Sequence, residues 1–159
     1  MPAPEKALRI DIPVKLSDAK LVFSVGALQF EGDLPASIFH MQLIKNDIVD
    51  WAATSEIVAV FHTNAGHVTL HDSAYNADRN IATGNPYKDL IAALQKRGVK
   101  VELCGATAKA HGWGNKDLLP EIKVYGCHGK NDTARPAGIR EDHRVSGNPE
   151  SARGGGKPK

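Results

Sequence analysis

Val99-Lys-Val-Glu-Leu-Cys-Gly-Ala-Thr107 is the stretch on which the fold turns. A short run rich in Val and Leu that leaves through Gly105 reads as a buried β-strand, with a helical segment after it. A helix precedes it. Leu90, Ile91 and Leu94 give the segment from Tyr87 to Lys96 one apolar side, and Gly98 ends it. Helix, buried strand, helix is the grammar of a parallel sheet.

The pattern extends in both directions. Leu21–Val25, Ile57–His62 and Ile122–Tyr125 are three further β-rich runs. Asp33 with Pro35 predicts a helix start, a capping carboxylate followed by proline in the first turn. Ile38, Met41, Ile44, Ile48 and Trp51 then recur at helical spacing. Between His62 and Tyr87 the pattern is mixed, with one or two helical turns at 76–82 and a turn at Thr83-Gly-Asn-Pro86. Strands alternating with helices predict an α/β domain: a mainly parallel sheet of four to five strands with helices on both faces.

Length and charge fit that reading. The 159 residues predict a single domain, 42% apolar and 24% charged. Residues 1–126 carry 13 Lys/Arg against 14 Asp/Glu, whereas residues 127–159 carry 7 against 4. On charge, the folded part is not a nucleic-acid binder. After Gly126 the chain is rich in Gly, Pro and Arg, and Ile139 and Val145 are its only large aliphatics. The predicted division is an α/β domain at 1–126 and a disordered basic tail at 127–159. No apolar run reaches the length of a membrane span, and Met1-Pro-Ala-Pro-Glu-Lys6 has no apolar core of a signal. The expected location is cytoplasmic, or periplasmic if an export signal has been removed.

Cys104 is the leading candidate for chemistry. Ligands of parallel α/β sheets gather outside the carboxyl ends of the strands. A thiol there, beside the start of a helix, is placed to become the reactive thiolate. Gly105 lets backbone approach closely, and Thr107 can cap the helix or donate to an anionic sulfur. Asn85, in the Thr83–Pro86 turn, is a further ligand-binding candidate. The other reading of Cys104 is a buried structural cysteine, and both stand at this point. Two cysteines do not make a disulfide framework, and no C-x-x-C pair occurs.

His62 ends the strand Ile57–His62 and shares a sheet edge with Cys104, where it can act on the thiol electrostatically or as a proton shuttle. The spacings of His62, His67 and His71 match no standard metal motif, so neither metal nor cofactor is implied. His40 and His111 read as surface or packing histidines, and Trp113 reads as buried. The Walker loop, the G-x-G-x-x-G fingerprint and the G-x-S-x-G elbow are all absent.

Several motifs together carry a resemblance. They are Phe30-Glu-Gly-Asp33, Val60-Phe-His62, Tyr75-Asn76, Thr83-Gly-Asn-Pro-Tyr87, Leu103-Cys-Gly-Ala-Thr107, His111-Gly-Trp-Gly-Asn-Lys-Asp-Leu-Leu-Pro120 and Lys123-Val124. In this order, over residues 8–124, the chain resembles the DsrE/DsrF-like family. The resemblance implies a five-stranded, mainly parallel α/β domain that assembles into trimers or hexamers. It also implies a sulfur carrier rather than a turnover enzyme, since the best-understood members pass sulfur as a cysteine persulfide. The matching cysteine is Cys104, and the partners would be sulfur donor and acceptor proteins. After Lys123-Val124 the chain departs from the family. Tyr125-Gly-Cys-His-Gly-Lys130 stands where members continue into a last helix and strand. Cys127 lies in this divergent part and is not read as a partner of Cys104.

Overall fold

A computed structural model describes residues 9–126 and the two-residue strand Arg140–Glu141. The tail expected at 127–159 lies outside the described residues, that strand apart.

Five strands form one sheet in the order β6-β5-β4-β1-β7, and every pairing in it is parallel. They are β1 (Asp18–Val25), β4 (Thr54–Phe61), β5 (Val99–Cys104), β6 (Lys123–Tyr125) and β7 (Arg140–Glu141). A small antiparallel hairpin, β2 (Phe30–Glu31) with β3 (Leu34–Pro35), stands apart. The helices are α1 (Ala36–Asp50), α2 (Asp72–Arg79), α3 (Lys88–Lys96) and α4 (Gly105–His111). A 3-10 turn at Thr63–Thr69 follows β4.

The strand at 99–104 and the helix before it match the sequence reading closely. The start of α1 does not. Asp33 falls in the hairpin turn, beside Gly32 in a left-handed conformation, and α1 begins after Pro35 with no side-chain cap. Pairing of Phe30–Glu31 with Leu34–Pro35 keeps these residues extended, so the proline ends a strand rather than opening a helix.

Topology decides where the core lies. From β1 to β4, β5 and β6 the chain steps across the sheet in one direction. Right-handed crossovers therefore bring each connection back over the same face. That face carries Ala19 and Val25, then Ile57, Ala59 and Phe61, then Val99, Val101 and Leu103. Against them pack Ile38, Met41 and Ile48 of α1, Tyr75 of α2, Ile91 and Leu94 of α3, and Ala108 of α4. Full burial of one such aliphatic stabilises by about 1.5–3 kcal/mol. The opposite face holds a smaller cluster of Val22, Val58 and Val60, with Cys104 and Tyr125 packed at its margin. A helical layer over this second face has no member among the described residues.

Candidate functional site

Strand alternation puts Ser24, His62 and Cys104 on the second face, in step with Val22, Val58 and Val60. All three lie at the carboxyl ends of neighbouring strands. The register Phe61↔Leu103 sets His62 level with Cys104 one residue further on, and Cys104 itself pairs with Tyr125. The expected shared sheet edge of His62 and Cys104 is thus present. The His62 ring leans the other way, toward β1. Its Nε2 lies 3.0 Å from Ser24 Oγ and its Nδ1 lies 3.2 Å from Thr63 Oγ1. Gly26 makes room for it, since a Cβ there would stand 2.7 Å from the imidazole.

Cys104 is disulfide-bonded in this structure. The reading that left it without a disulfide partner is corrected; Cys127 lies outside the described residues. A disulfide sulfur is no nucleophile, so any thiolate chemistry at Cys104 begins with reduction. Glu102 is two residues back on the same face, and its Oε2 is buried with no hydrogen-bond partner among the described residues. Its charge opposes a thiolate beside it.

The three residues expected to bind ligand have structural engagements. A Cβ on Gly105 would meet the Tyr125 carbonyl oxygen at 2.9 Å, so glycine admits the β6 backbone. Thr107 is 7% exposed, and its Oγ1 accepts the Thr63 N–H at 3.0 Å. Asn85 is 2% exposed. Its Nδ2 donates to the carbonyls of Val68 and Leu70, and its Oδ1 accepts the Tyr87 N–H. Asn85 thereby ties the 3-10 turn to the start of α3.

The three clustered histidines have separate fates. His62 faces Ser24. His71 caps α2, its Nδ1 accepting the Ala74 N–H. His67 is 6% exposed and packs with Tyr75 and Tyr87. Burial, aided by the Arg79 charge, lowers the His67 pKa from its ordinary value. Among the described residues, no group of three His, Cys, Asp or Glu side chains is placed to hold a metal ion.

A cavity of about 300 Å³ opens on the helical side of the sheet. Thr63 and His67 of the 3-10 turn, Asp78 and Arg79 of α2, and His111 with Trp113 line it. His111 stacks on Trp113 with ring centroids 4.3 Å apart, and its Nδ1 lies 3.7 Å from Asp78 Oδ1. Sequence reading missed this cavity. His111 and Trp113 were read singly, and Asp78 and Arg79 carried no motif. Their convergence depends on the path of the turn at 63–69, which has no periodicity to reveal it.

Among the described residues, no helix is long and apolar enough to cross a membrane. None of the curated proteins matches the chain. Two solved structures are similar to it. The protein of unknown function MTH1491 from Methanobacterium thermoautotrophicum is 20% identical, with a TM-score of 0.49, over 67% of this chain and 80% of that one. The ychN protein from E. coli is 14% identical, with a TM-score of 0.46, over 70% and 86% respectively. The match that decides membership is to the family as a whole. The DsrE/DsrF-like profile covers residues 36–130, from the start of α1 past the strand that carries Cys104, and the chain belongs to the DsrE/DsrF-like family.

Proposed function

We propose that this chain is a sulfur carrier in which Cys104, once reduced, holds sulfane sulfur as a persulfide. The observation that carries the reading is the position of Cys104, at the carboxyl end of an inner parallel strand and level with His62. Family membership supports it. A thiol reductant first opens the disulfide and leaves Cys104 as thiolate. The thiolate attacks the outer sulfur of a donor persulfide or polysulfide. A new S–S bond forms on Sγ, the donor's S–S bond breaks, and the donor leaves as thiolate. An acceptor thiolate then attacks the outer sulfur on Cys104, and Cys104 returns to the thiolate. His62 serves electrostatically, by orienting the Ser24 hydroxyl and polarising the strand-end environment. Gly105 and Thr107 hold the helix start in place.

The partners of such a protein are sulfur donor and acceptor proteins, with a second copy of the chain as oligomer partner. Sedimentation at several concentrations tests the self-association. A well-behaved monomer at high concentration would remove the oligomer from the proposal.

The test of the carrier is mass spectrometry of the reduced protein after incubation with polysulfide. Stepwise gain of whole sulfur atoms on the Cys104 peptide supports it. No gain on a peptide that alkylates readily would sink it. The disulfide favours a second reading, a ligand-binding or interaction module in which Cys104 is structural. Under that reading, reduction lowers the melting temperature and sulfur loading is absent.

A further inference from the structure

We propose that residues 9–17 pair as an antiparallel strand with the same residues of a second copy of the chain, about a two-fold axis at Pro13. The inference goes beyond the sulfur-carrier reading and does not depend on it. It assigns a surface to self-association, which the proposed oligomer leaves open. Ile10, Ile12, Val14 and Leu16 alternate with Arg9, Asp11, Pro13 and Lys15. That is the period of a strand with one apolar face. Yet these four aliphatics are 64%, 83%, 57% and 39% exposed. Single exposed aliphatics are ordinary on a surface, whereas a stripe of four marks a contact. Residues 9–17 belong to no strand of the described fold and bend at Asp11 and Ile12. They lead into β1, which is an inner strand of the sheet, so they do not prolong an open edge.

The arm is complementary to itself in one register. Antiparallel pairing centred on Pro13 sets Ile10 opposite Leu16 and Ile12 opposite Val14, each twice. On the other face it sets Asp11 opposite Lys15, also twice. Asp11 is already ion-paired with Arg9 along the arm, so it would lie between that guanidinium and Lys15 of the second copy. Moving the centre to Ile12 opposes Arg9 to Lys15, and moving it to Val14 opposes Ile10 to Asp18. Parallel pairing in register opposes Asp11 to Asp11 and Lys15 to Lys15. Like charges directly across two strands are destabilising.

Proline fits the same register. Opposed residues of an antiparallel pair alternate between hydrogen-bonded and non-hydrogen-bonded positions. With Pro13 at a non-hydrogen-bonded position on the axis, the ladder bonds are made by Ile10, Ile12, Val14 and Leu16. The N–H that Pro13 lacks would have faced outward. A patch that matches itself in this way closes a two-fold dimer. A two-stranded ribbon alone is marginal in water and needs cover on its apolar face. Val49, exposed near the end of α1, offers it. Helix α1 ends at Asp50 and β4 begins at Thr54, opposite Asp18 where the arm joins β1, so both lie at the amino end of the sheet.

The test is sedimentation velocity of the full-length chain over a range of concentrations. The parent should have twice the mass of Ile12→Asp, whatever other contacts the chain makes: a dimer against a monomer, or a hexamer against a trimer. Asp11→Lys and Lys15→Asp should each weaken this association by about tenfold or more, since each acts at two symmetric positions. The double variant Asp11→Lys with Lys15→Asp should restore it to within about threefold of the parent. Circular dichroism should show every variant as folded as the parent, because the arm is exposed. Equal masses for the parent and Ile12→Asp overturn the proposal, and any association then uses another surface, so the oligomer itself still stands. A monomeric parent overturns both. Failure of the double variant to recover what the single ones lose also overturns it, because the register predicts that recovery.

Discussion

The Thr63 N–H donates to Thr107 Oγ1 at 3.0 Å, joining the end of β4 to the first turn of α4. Thr63 has a left-handed φ of 44°, a costly conformation for a β-branched residue. Its own Oγ1 donates to the Gly26 carbonyl at 2.6 Å. These two bonds hold Thr63 in place and link three strand ends. Thr107→Val keeps the shape but leaves the Thr63 N–H without its acceptor. It should cost about 1–3 kcal/mol in denaturant unfolding. Thr107→Ser keeps the acceptor and should cost less. Equal stability of Thr107→Val and the parent would show that the bond contributes nothing.

Asn85 holds two carbonyls and one N–H inside the protein. Asn85→Ala strands all three and should destabilise by roughly 2–4 kcal/mol, with loosening of the 3-10 turn. Asn85→Asp is expected to be worse, because a carboxylate would face the Val68 and Leu70 carbonyls with no donor to give them. Hydrogen exchange at residues 63–70 checks this. Protection unchanged in Asn85→Ala would show that these three bonds do not hold the turn.

The sheet was legible because each of its main strands is a short aliphatic run between turn residues. The strand at Val99–Cys104 needed nothing beyond that pattern. The helix at Lys88–Lys96 was equally plain, since Gly98 stops it in a left-handed conformation. The segment 63–79 was not legible. Its 3-10 turn is buried at Ala65–Thr69 through close approach of Gly66 to Trp113 and Thr107, contacts distant in sequence. The strand-end position of Cys104 could be read locally, but its disulfide, and a Glu102 oxygen buried without a hydrogen bond among the described residues, could not. Spacing alone grouped His62, His67 and His71. The fold separates them, because a strand end, a 3-10 turn and a helix cap point in different directions.

Reactivity of reduced Cys104 should depend on its neighbours on the second face. Glu102 places a carboxylate on the same side of β5, and removing its charge favours the thiolate. Glu102→Gln should raise the iodoacetamide alkylation rate at neutral pH by about threefold or more, the scale of a Coulomb interaction at that spacing. The measurement uses reduced protein in a Cys127→Ala background. If His62 also supports the anion, His62→Ala should slow the same reaction. An unchanged rate would take His62 out of the site, and a slower rate in Glu102→Gln would mean that Glu102 assists the sulfur instead of opposing it.

His67 should link stability to pH. In the fold, burial is the largest cause of its lowered pKa, the Arg79 charge adds to it, and Asp78 partly opposes. In the unfolded chain the imidazole returns to its ordinary value of 6.5. Above that value both states are neutral, and His67 imposes no pH dependence. Below it the unfolded chain takes up a proton that the folded protein resists, so stability falls as pH drops from 6.5 toward the lowered folded-state pKa. His67→Phe keeps an aromatic ring against Tyr75 and Tyr87 but cannot be protonated. The loss of melting temperature between about pH 7.5 and pH 5.5 should therefore be smaller in His67→Phe than in the parent. An equal loss in both would mean that His67 is already as easily protonated in the fold as in the unfolded chain. Its ring would then be reached by water or countered by Asp78 more strongly than its burial suggests.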